Sequence, residues 1–334
     1  MRYLVTGGAG FIGSHLVDQL VSRGDQVLVI DDLSTGHKGN LDRALASGSV
    51  DFREGSILDA DFVDDAMAQV DACFHLAAAV GVKLILERPL ESLLRNVRGS
   101  DVVLGATCRR GQKVLLASSS EIYGKDSDGA LTEVADRTLG PPQTLRWSYS
   151  TAKAFGESLV HAYQRELDSP SVIVRIFNTV GPRQAGTYGM VLPRFVRQAL
   201  AGRNLTVYGD GAQSRCFTHV HDTIAALTSL MDSDRAVGST FNVGSPVEVP
   251  IVELARQVID RSGSSAEIEF VPYECAYGED FEELGRRKPD IEAIRNTVDW
   301  EPKRTLTEMI DDTIAYEESR ASFAEGSQTA ISIR

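Results

Sequence analysis

MRYLVTGGAGFIGSHLVDQLVSRGDQVLVID, residues 1–31, opens on a short apolar run, passes through a glycine-rich turn into an amphipathic segment, and closes on a second β-branched run. Strand, loop, helix and strand therefore follow in the order that a dinucleotide-binding βαβ unit requires. Gly7, Gly10 and Gly13 are spaced by three, and the literal G-x-G-x-x-G runs from Gly8 to Gly13. Glycine at these places turns the chain tightly, lets backbone N–H groups approach a pyrophosphate and packs helix on strand. Asp31 ends the second run 18 residues beyond Gly13. A carboxylate there accepts from both ribose hydroxyls and repels a 2′-phosphate. The DLSTG that follows, Asp32 to Gly36, offers no arginine to welcome one, so NAD is expected over NADP. A glycine-rich turn that binds nothing is the competing reading, and the ordered context speaks against it.

The same rhythm continues outward. Apolar runs at 3–6, 26–31, 72–77, 113–118 and 171–177 alternate with helical periodicity at about 11–23, 88–110 and 150–167. That alternation predicts an α/β fold, a Rossmann-type doubly wound parallel sheet with helices on both faces. Beyond residue 178 the pattern is shorter and mixed. We expect an NAD-binding domain over 1–177 and a smaller mixed α/β domain over 178–317 that covers the substrate, with some segments returning to the first. A flexible tail is expected over 318–334.

With 34 Lys+Arg against 47 Asp+Glu the formal net charge is −13, which disfavours nucleic acid and anionic membrane as partners. Cys73, Cys108, Cys216 and Cys275 are far apart and form no zinc or disulfide framework. Reduced thiols, no apolar run of membrane-spanning length and no leader pattern make a cytoplasmic setting the expectation.

Tyr149 and Lys153 lie four apart at the start of a helical pattern and so share a face. A neighbouring ammonium favours the phenolate, which suits a proton relay, although such a pair elsewhere is often a solvated helix face. ASSSEIYG at 117–124 follows a strand and opens at the sheet edge where ligands bind, placing Ser119 and Glu121 nearby.

TGGAGFIG, Asp31, HLAA at 75–78, ASSSEIYG, Tyr149-x-x-x-Lys153 and RIFNTVGPR at 175–183 together resemble extended short-chain dehydrogenases/reductases acting on nucleotide sugars, from residue 1 to about 316. VLPRFVRQALAGRNLTVYGDGAQSRCFTHVHD at 191–222 and RRKPD at 286–290 look most like UDP-glucuronate decarboxylases. The resemblance implies NAD contacts at Gly7, Gly10, Phe11, Ile12, Gly13, Asp31, Asp32, Ser34, Thr35, Gly36, Ser56, Ile57, Leu76, Ala78, Arg95, Tyr149, Lys153 and Thr179. It implies UDP contacts at Asn178, Val191, Leu192, Arg194, Val207, Tyr208 and Arg215. Two anionic ligands in one cleft need local positive charge, which Arg194, Arg215, Arg286 and Arg287 can supply, with a solvated surface pair as the alternative reading of Arg286-Arg287. Tyr149 would take the C4-hydroxyl proton, Ser119 would donate to the enolate, Glu121 would orient groups at C5, and Arg287 would both bind substrate and assist reprotonation. The sequence departs from the decarboxylase pattern at Ser119 (usually Thr), at Ala79-Val80-Gly81 (usually Ser-Pro-Pro) and at Met190 (usually Arg).

A 4-epimerase shares every NAD residue and the Tyr/Lys pair, but the group commonly lacks a carboxylate at Glu121. A 4,6-dehydratase carries one, often after an Asp where this chain has Ser120. A non-catalytic NAD-binding protein needs none of Tyr149, Lys153 and Glu121. His219 and His221 have no third ligand at zinc-like spacing, so no metal is expected. Spare apolar faces on the helices near 88–110 and 150–167, with the resemblance, imply a homodimer; ordinary core is the alternative.

Overall fold

Seven strands form one all-parallel sheet in the order β11-β6-β5-β4-β1-β2-β3. They are β1 (Arg2–Thr6), β2 (Gln26–Asp31), β3 (Val50–Glu54), β4 (Ala72–His75), β5 (Lys113–Ser119), β6 (Ser171–Ile176) and β11 (Thr240–Val243). The computed structural model describes residues 1–80, 87–125, 129–186, 190–273, 275 and 286–331, with side chains to residue 321. In the first half, α1 (Phe11–Ser22), α2 (Asp42–Leu45), α3 (Ala60–Met67), α4 (Pro89–Arg109) and α5 (Ser148–Leu167) connect the strands.

The two sides of the sheet separate by residue parity, as a period-two strand demands. Tyr3, Val5, Val27, Val29, Phe74 and Leu115 pack on Leu16, Val17 and Leu20 of α1. Leu4, Leu28, Ile30, Cys73, Val114 and Leu116 face the other way, onto Val63, Ala66 and Met67 of α3 and Val103 and Leu104 of α4. Coverage on both faces explains why these strands read as continuous apolar runs instead of alternating ones.

After β6 come β7 (Thr179–Val180), α6 (Val191–Leu200), β8 (Leu205–Tyr208), β9 (Ser214–Cys216), β10 (Thr218–His219) and α7 (Val220–Asp232). Beyond β11 follow β12 (Glu248–Pro250), α8 (Ile251–Ser262), β13 (Ile268–Val271), α9 (Glu292–Val298) and α10 (Leu306–Ile331). α7 returns to the sheet, burying Ile224, Leu227 and Leu230 in its core. A separate apolar cluster gathers Leu192, Phe195 and Val196 of α6, Leu205 and Val207 of β8, Leu254 and Val258 of α8, and Met309, Ile310 and Ile314 of α10. The helical backbone of α10 continues to Ile331, past residue 318 where the sequence suggests a tail begins. Among the described residues no helix is long and apolar enough to cross a membrane.

Below the end of β5 lies a buried ion pair. Arg175 on β6 donates from Nη2 to Glu157 Oε2 at 2.7 Å and from Nε to Oε1 at 3.0 Å, and Ser118 Oγ donates to the same carboxylate at 2.5 Å. Arg175 also donates to the Tyr123 hydroxyl and the Glu133 carbonyl, so one network ties α5, β5 and β6 beneath the site. Removing one partner leaves an uncompensated buried charge. Glu157→Ala should therefore lower unfolding stability by about 3–5 kcal/mol, read from the denaturant midpoint; an unchanged midpoint would show the network to be dispensable.

Candidate active site

A cleft of about 1090 Å³ runs along the carboxyl edge of the sheet, where the strand order reverses direction about β1 and β4. Such a switch point is where open α/β sheets hold ligands. At its floor Gly7 has φ +71°, and a Cβ there would meet the backbone of Ala77 at 2.8 Å. Gly10 caps α1 with extended backbone, and a Cβ on Gly13 would lie 2.2 Å from the Gly7 carbonyl. Loop and helix therefore touch as closely as glycine permits, leaving the start of α1 open to the cleft.

Asp31 sits at the end of β2, its carboxylate accepting from the amides of Ala9 at 2.9 Å and Leu33 at 2.8 Å. Burial raises its pKa, with those two amides pulling the other way. Arg95 of α4 reaches the same end of the cleft, but its guanidinium is shared by Asp32 at 3.0 Å, Glu91 at 3.3 Å and the Ser34 hydroxyl. This cation is thus already matched by carboxylates. These residues fit NAD, and they argue against a 2′-phosphate. NAD should bind much more tightly than NADP in calorimetry; equal affinities would contradict the role given to Asp31.

Where β5 ends, Ser119 caps the short turn Ser120–Tyr123 by accepting from the Glu121 amide at 3.2 Å. Tyr149 and Lys153 project from the first turns of α5 into the same space. Burial pushes the Tyr149 phenol up, the Glu121 charge adds to this, and a bond with Ser119 opposes it. Lys153 Nζ lies 5.9 Å from the Tyr149 ring centroid and donates to the Ala117 carbonyl at 2.8 Å. Burial lowers this ammonium to about 8, with Glu157 pulling upward. The lysine charge expected to favour the phenolate therefore lies at a distance from the ring, with burial dominating the phenol.

Arg287 arrives on a segment fixed by Leu131, whose amide donates to the Lys288 carbonyl at 2.8 Å and whose carbonyl accepts from the Asp290 amide at 2.9 Å. Arg287 Nη1 lies 2.6 Å from Glu121 Oε1. Arg286, its neighbour, turns outward to a bidentate pair with Glu248 at 2.6 and 2.7 Å and does not line the cleft. The sequence suggests that Arg286 lends charge to the site; its guanidinium is instead matched by Glu248 on the outside, as in the solvated-pair reading.

On the opposite wall, Asn178, Val191, Arg194, Tyr208 and Arg215 line the cleft, with the Arg194 guanidinium 4.5 Å over the Tyr208 ring. Three expected contacts fall outside it. Leu192 and Val207 are fully buried in the second core: β8 alternates, sending Leu205 and Val207 inward, with Thr206 and Tyr208 on the other face. Ser56 does not line the cleft, and its hydroxyl instead accepts from the Leu58 amide at 3.2 Å. All the other expected NAD contacts line it. Gly81 of the Ala79-Val80-Gly81 departure lies outside the described residues.

Several cleft residues were not legible in advance. Arg146 sits one helical turn before Tyr149 and donates to Glu121 Oε2 at 2.5 Å; its spacing from Tyr149 was the available signal. Tyr316 and Arg320, four apart on α10, also line the cleft. His219 caps α7 by accepting from the His221 amide and lies 3.2 Å from Asp312. His75 bonds the Thr6 hydroxyl at 2.8 Å, and burial lowers it to about 3. Among the described residues no group of three or more His, Cys, Asp or Glu side chains is placed to hold a metal ion.

Fold and cleft together define an NAD-dependent enzyme of the extended short-chain dehydrogenase/reductase class. Residues 3–244 match the NAD dependent epimerase/dehydratase family, and the chain belongs to it. It is 39% identical over 316 residues to the UDP-N-acetyl-alpha-D-glucosaminuronate decarboxylase of Bacillus cytotoxicus, spanning 94% of this chain and 97% of that protein. It is 36% identical over 317 residues to UDP-glucuronic acid decarboxylase 1 of Xenopus tropicalis, spanning 94% of this chain and 72% of that one. The crystal structure of UDP-glucuronic acid 4-epimerase from Bacillus cereus, in complex with UDP-glucuronic acid and NAD, superposes with a TM-score of 0.86 at 27% identity, covering 96% and 99% of the two chains.

Proposed function

We propose that this enzyme decarboxylates a UDP-linked uronic acid, UDP-glucuronate in the first instance, giving UDP-xylose or, on early release, the UDP-4-keto pentose. The observation that carries this reading is the Glu121–Arg287 contact at 2.6 Å beside Tyr149, because oxidation at C4 alone needs neither residue. Names of similar proteins support it, two of them decarboxylases of UDP-linked uronates.

NAD, which the glycine loop and Asp31 would hold, would supply the oxidant at C4 and, where UDP-xylose is the product, the reductant that restores C4. Tyr149 accepts the C4-hydroxyl proton, with Lys153 one turn along the helix carrying positive charge. The 4-ketone so formed stands β to the C5 carboxylate. The C5–C6 bond then breaks, its electron pair flows to the C4 oxygen, and carbon dioxide leaves. Ser119 donates to the developing enolate oxygen, Glu121 orients groups at C5, and Arg287 binds the substrate and assists the proton that C5 takes up. Asn178, Val191, Arg194, Tyr208 and Arg215 hold the UDP.

The test incubates the enzyme with NAD and carboxyl-labelled UDP-glucuronate or its 2-acetamido analogue, following label loss and product mass. Loss of label from either supports a decarboxylase and the ratio names the sugar. Retained label with inverted C4 establishes the epimerase instead. The same proposal divides the chain at residue 177 and places the enzyme in the cytoplasm as a homodimer. Helices α4 and α5 pack on each other and leave Leu90, Leu94, Phe155 and Leu167 exposed, an apolar face suited to a second copy. A monomer in sedimentation velocity at micromolar concentration would refute the dimer.

A further inference from the structure

Glu121 is held from two sides by guanidinium groups that come from distant parts of the chain. Arg287 bonds Oε1 at 2.6 Å and Arg146 bonds Oε2 at 2.5 Å. Arg146 belongs to the turn Leu145–Trp147 that leads into α5. Its side chain is 9% exposed, and its guanidinium carbon lies 5.6 Å from the Trp147 ring centroid. Glu121 keeps 21% of its side-chain surface open to the cleft. Arg146 is thus a walled-in cation aimed at a carboxylate that faces the ligand space.

A carboxylate whose two oxygens each accept from a different guanidinium has no favourable place for a proton, since an O–H would meet a donor on either side. Burial alone would raise the Glu121 pKa, but the charges and bonds of Arg287 and Arg146 hold it well below the ordinary carboxylate range. The grip is also directional: two bonds from opposite sides fix the plane of the carboxylate, which one would leave free to turn. One negative and two positive charges leave this cluster with a net charge of plus one at the reacting end of the cleft. A substrate that carries its own carboxylate neutralises it; a neutral hexose does not.

Resting on the decarboxylase reading, we propose that Arg146 is a positioning residue that pins Glu121 as an oriented, ionised hydrogen-bond acceptor and, together with Arg287, biases the site toward sugars bearing a carboxylate. Arg146 acts through Glu121, so its loss changes the charge and orientation of that group without removing any member of the Tyr149–Lys153 relay.

The test compares Arg146→Gln and Arg146→Lys with the wild type, all loaded with NAD. Carbon-13 NMR of enzyme labelled at glutamate carboxyl carbons follows Glu121 directly, its resonance assigned by its disappearance in Glu121→Gln. We expect Glu121 to stay ionised in the wild type to the lowest pH at which the fold holds, and to titrate at least about one unit higher in Arg146→Gln. The rate of carbon dioxide release in Arg146→Gln should fall roughly 10- to 100-fold, with the acid limb of the kcat profile moving up in step with the NMR titration. Arg146→Lys, which restores the charge without the fork, should recover part of both. Unchanged Glu121 titration in Arg146→Gln overturns the proposal. So does a rate loss that lysine fails to relieve and that comes with lost NAD affinity, since that pattern belongs to a merely structural arginine. A wild type that releases no carbon dioxide defeats the decarboxylase reading separately, and the titration then still decides whether Arg146 governs Glu121.

Discussion

Tyr149→Phe is expected to bind NAD about as well as the wild type and to turn over about 10²- to 10⁴-fold more slowly. The substitution removes one oxygen from a side chain that is otherwise packed at the start of α5 and 6% exposed, so the ring still fills its place. The lost hydroxyl is the group that accepts the C4 proton. Burial and the Glu121 charge hold this phenol neutral at ordinary pH, so it becomes a base only with positive charge nearby, and Lys153 carries that charge on the same face of the helix. The dependence on Lys153 gives the prediction a pH signature. Burial lowers its ammonium from 10.5 to about 8, so in the free enzyme the cation is lost as pH rises through about 8, and kcat/KM should decline on that alkaline side. Between about 8 and 10.5 the unfolded chain binds the proton that the folded chain has released, so this group contributes stability that rises with pH while activity falls. Stopped-flow measurement of reduced-nicotinamide absorbance with UDP-glucuronate checks the variant; near-normal oxidation by Tyr149→Phe would require a different base.

The residues that were legible in the sequence are those whose type is forced by local geometry. Gly7 and Gly13 sit where a Cβ would strike backbone at 2.8 and 2.2 Å, and Asp31 closes a strand whose apolar run is unmistakable. The central strands declare themselves because both of their faces are covered. β3 did not: its sequence VDFRE is mixed, with Asp51 and Glu54 exposed on the sheet's edge, so no apolar run marks it. β11 was hidden for another reason, since Thr240–Val243 is four residues long and joins the sheet beside β6 after a crossover through α7. In the site, the side chains of Leu192 and Val207 lie in the second core because a one-residue step on a helix or strand exchanges cleft for core. Arg146 was missed because its role exists only in three dimensions. Nothing in Leu145-Arg146-Trp147 shows that its guanidinium meets a glutamate 25 residues earlier in the chain.

Glu121→Gln and Arg287→Ala should each depress carbon dioxide release from UDP-glucuronate by about 10²- to 10³-fold while NAD stays bound, and this separates decarboxylation from epimerisation. The glycine loop after β1 and Asp31 at the end of β2, which would hold the dinucleotide, are left intact by either substitution. Glu121→Gln keeps the shape of the side chain but replaces a charge that accepts two guanidinium bonds with a neutral amide. Arg146 and Arg287 are then left facing each other's charge without a counter-ion. Arg287→Ala removes a buried cation and strips Glu121 of its partner at 2.6 Å. If Arg287 also grips the substrate, KM rises as kcat falls in that variant, whereas Glu121→Gln should act mainly on kcat. An epimerase has a different dependence, because rotating and re-reducing a 4-keto sugar breaks no carbon–carbon bond and develops no enolate toward C5. The measurement is therefore made on two products of one incubation: carbon dioxide from carboxyl-labelled UDP-glucuronate, and UDP-galacturonate by chromatography. Wild type that loses the label, with both variants failing at that step and accumulating the oxidised sugar, fixes Glu121 and Arg287 after C4 oxidation. Label retained in UDP-galacturonate, formed equally by wild type and Glu121→Gln, would make the enzyme an epimerase and leave the Glu121–Arg287 pair without a role in its chemistry.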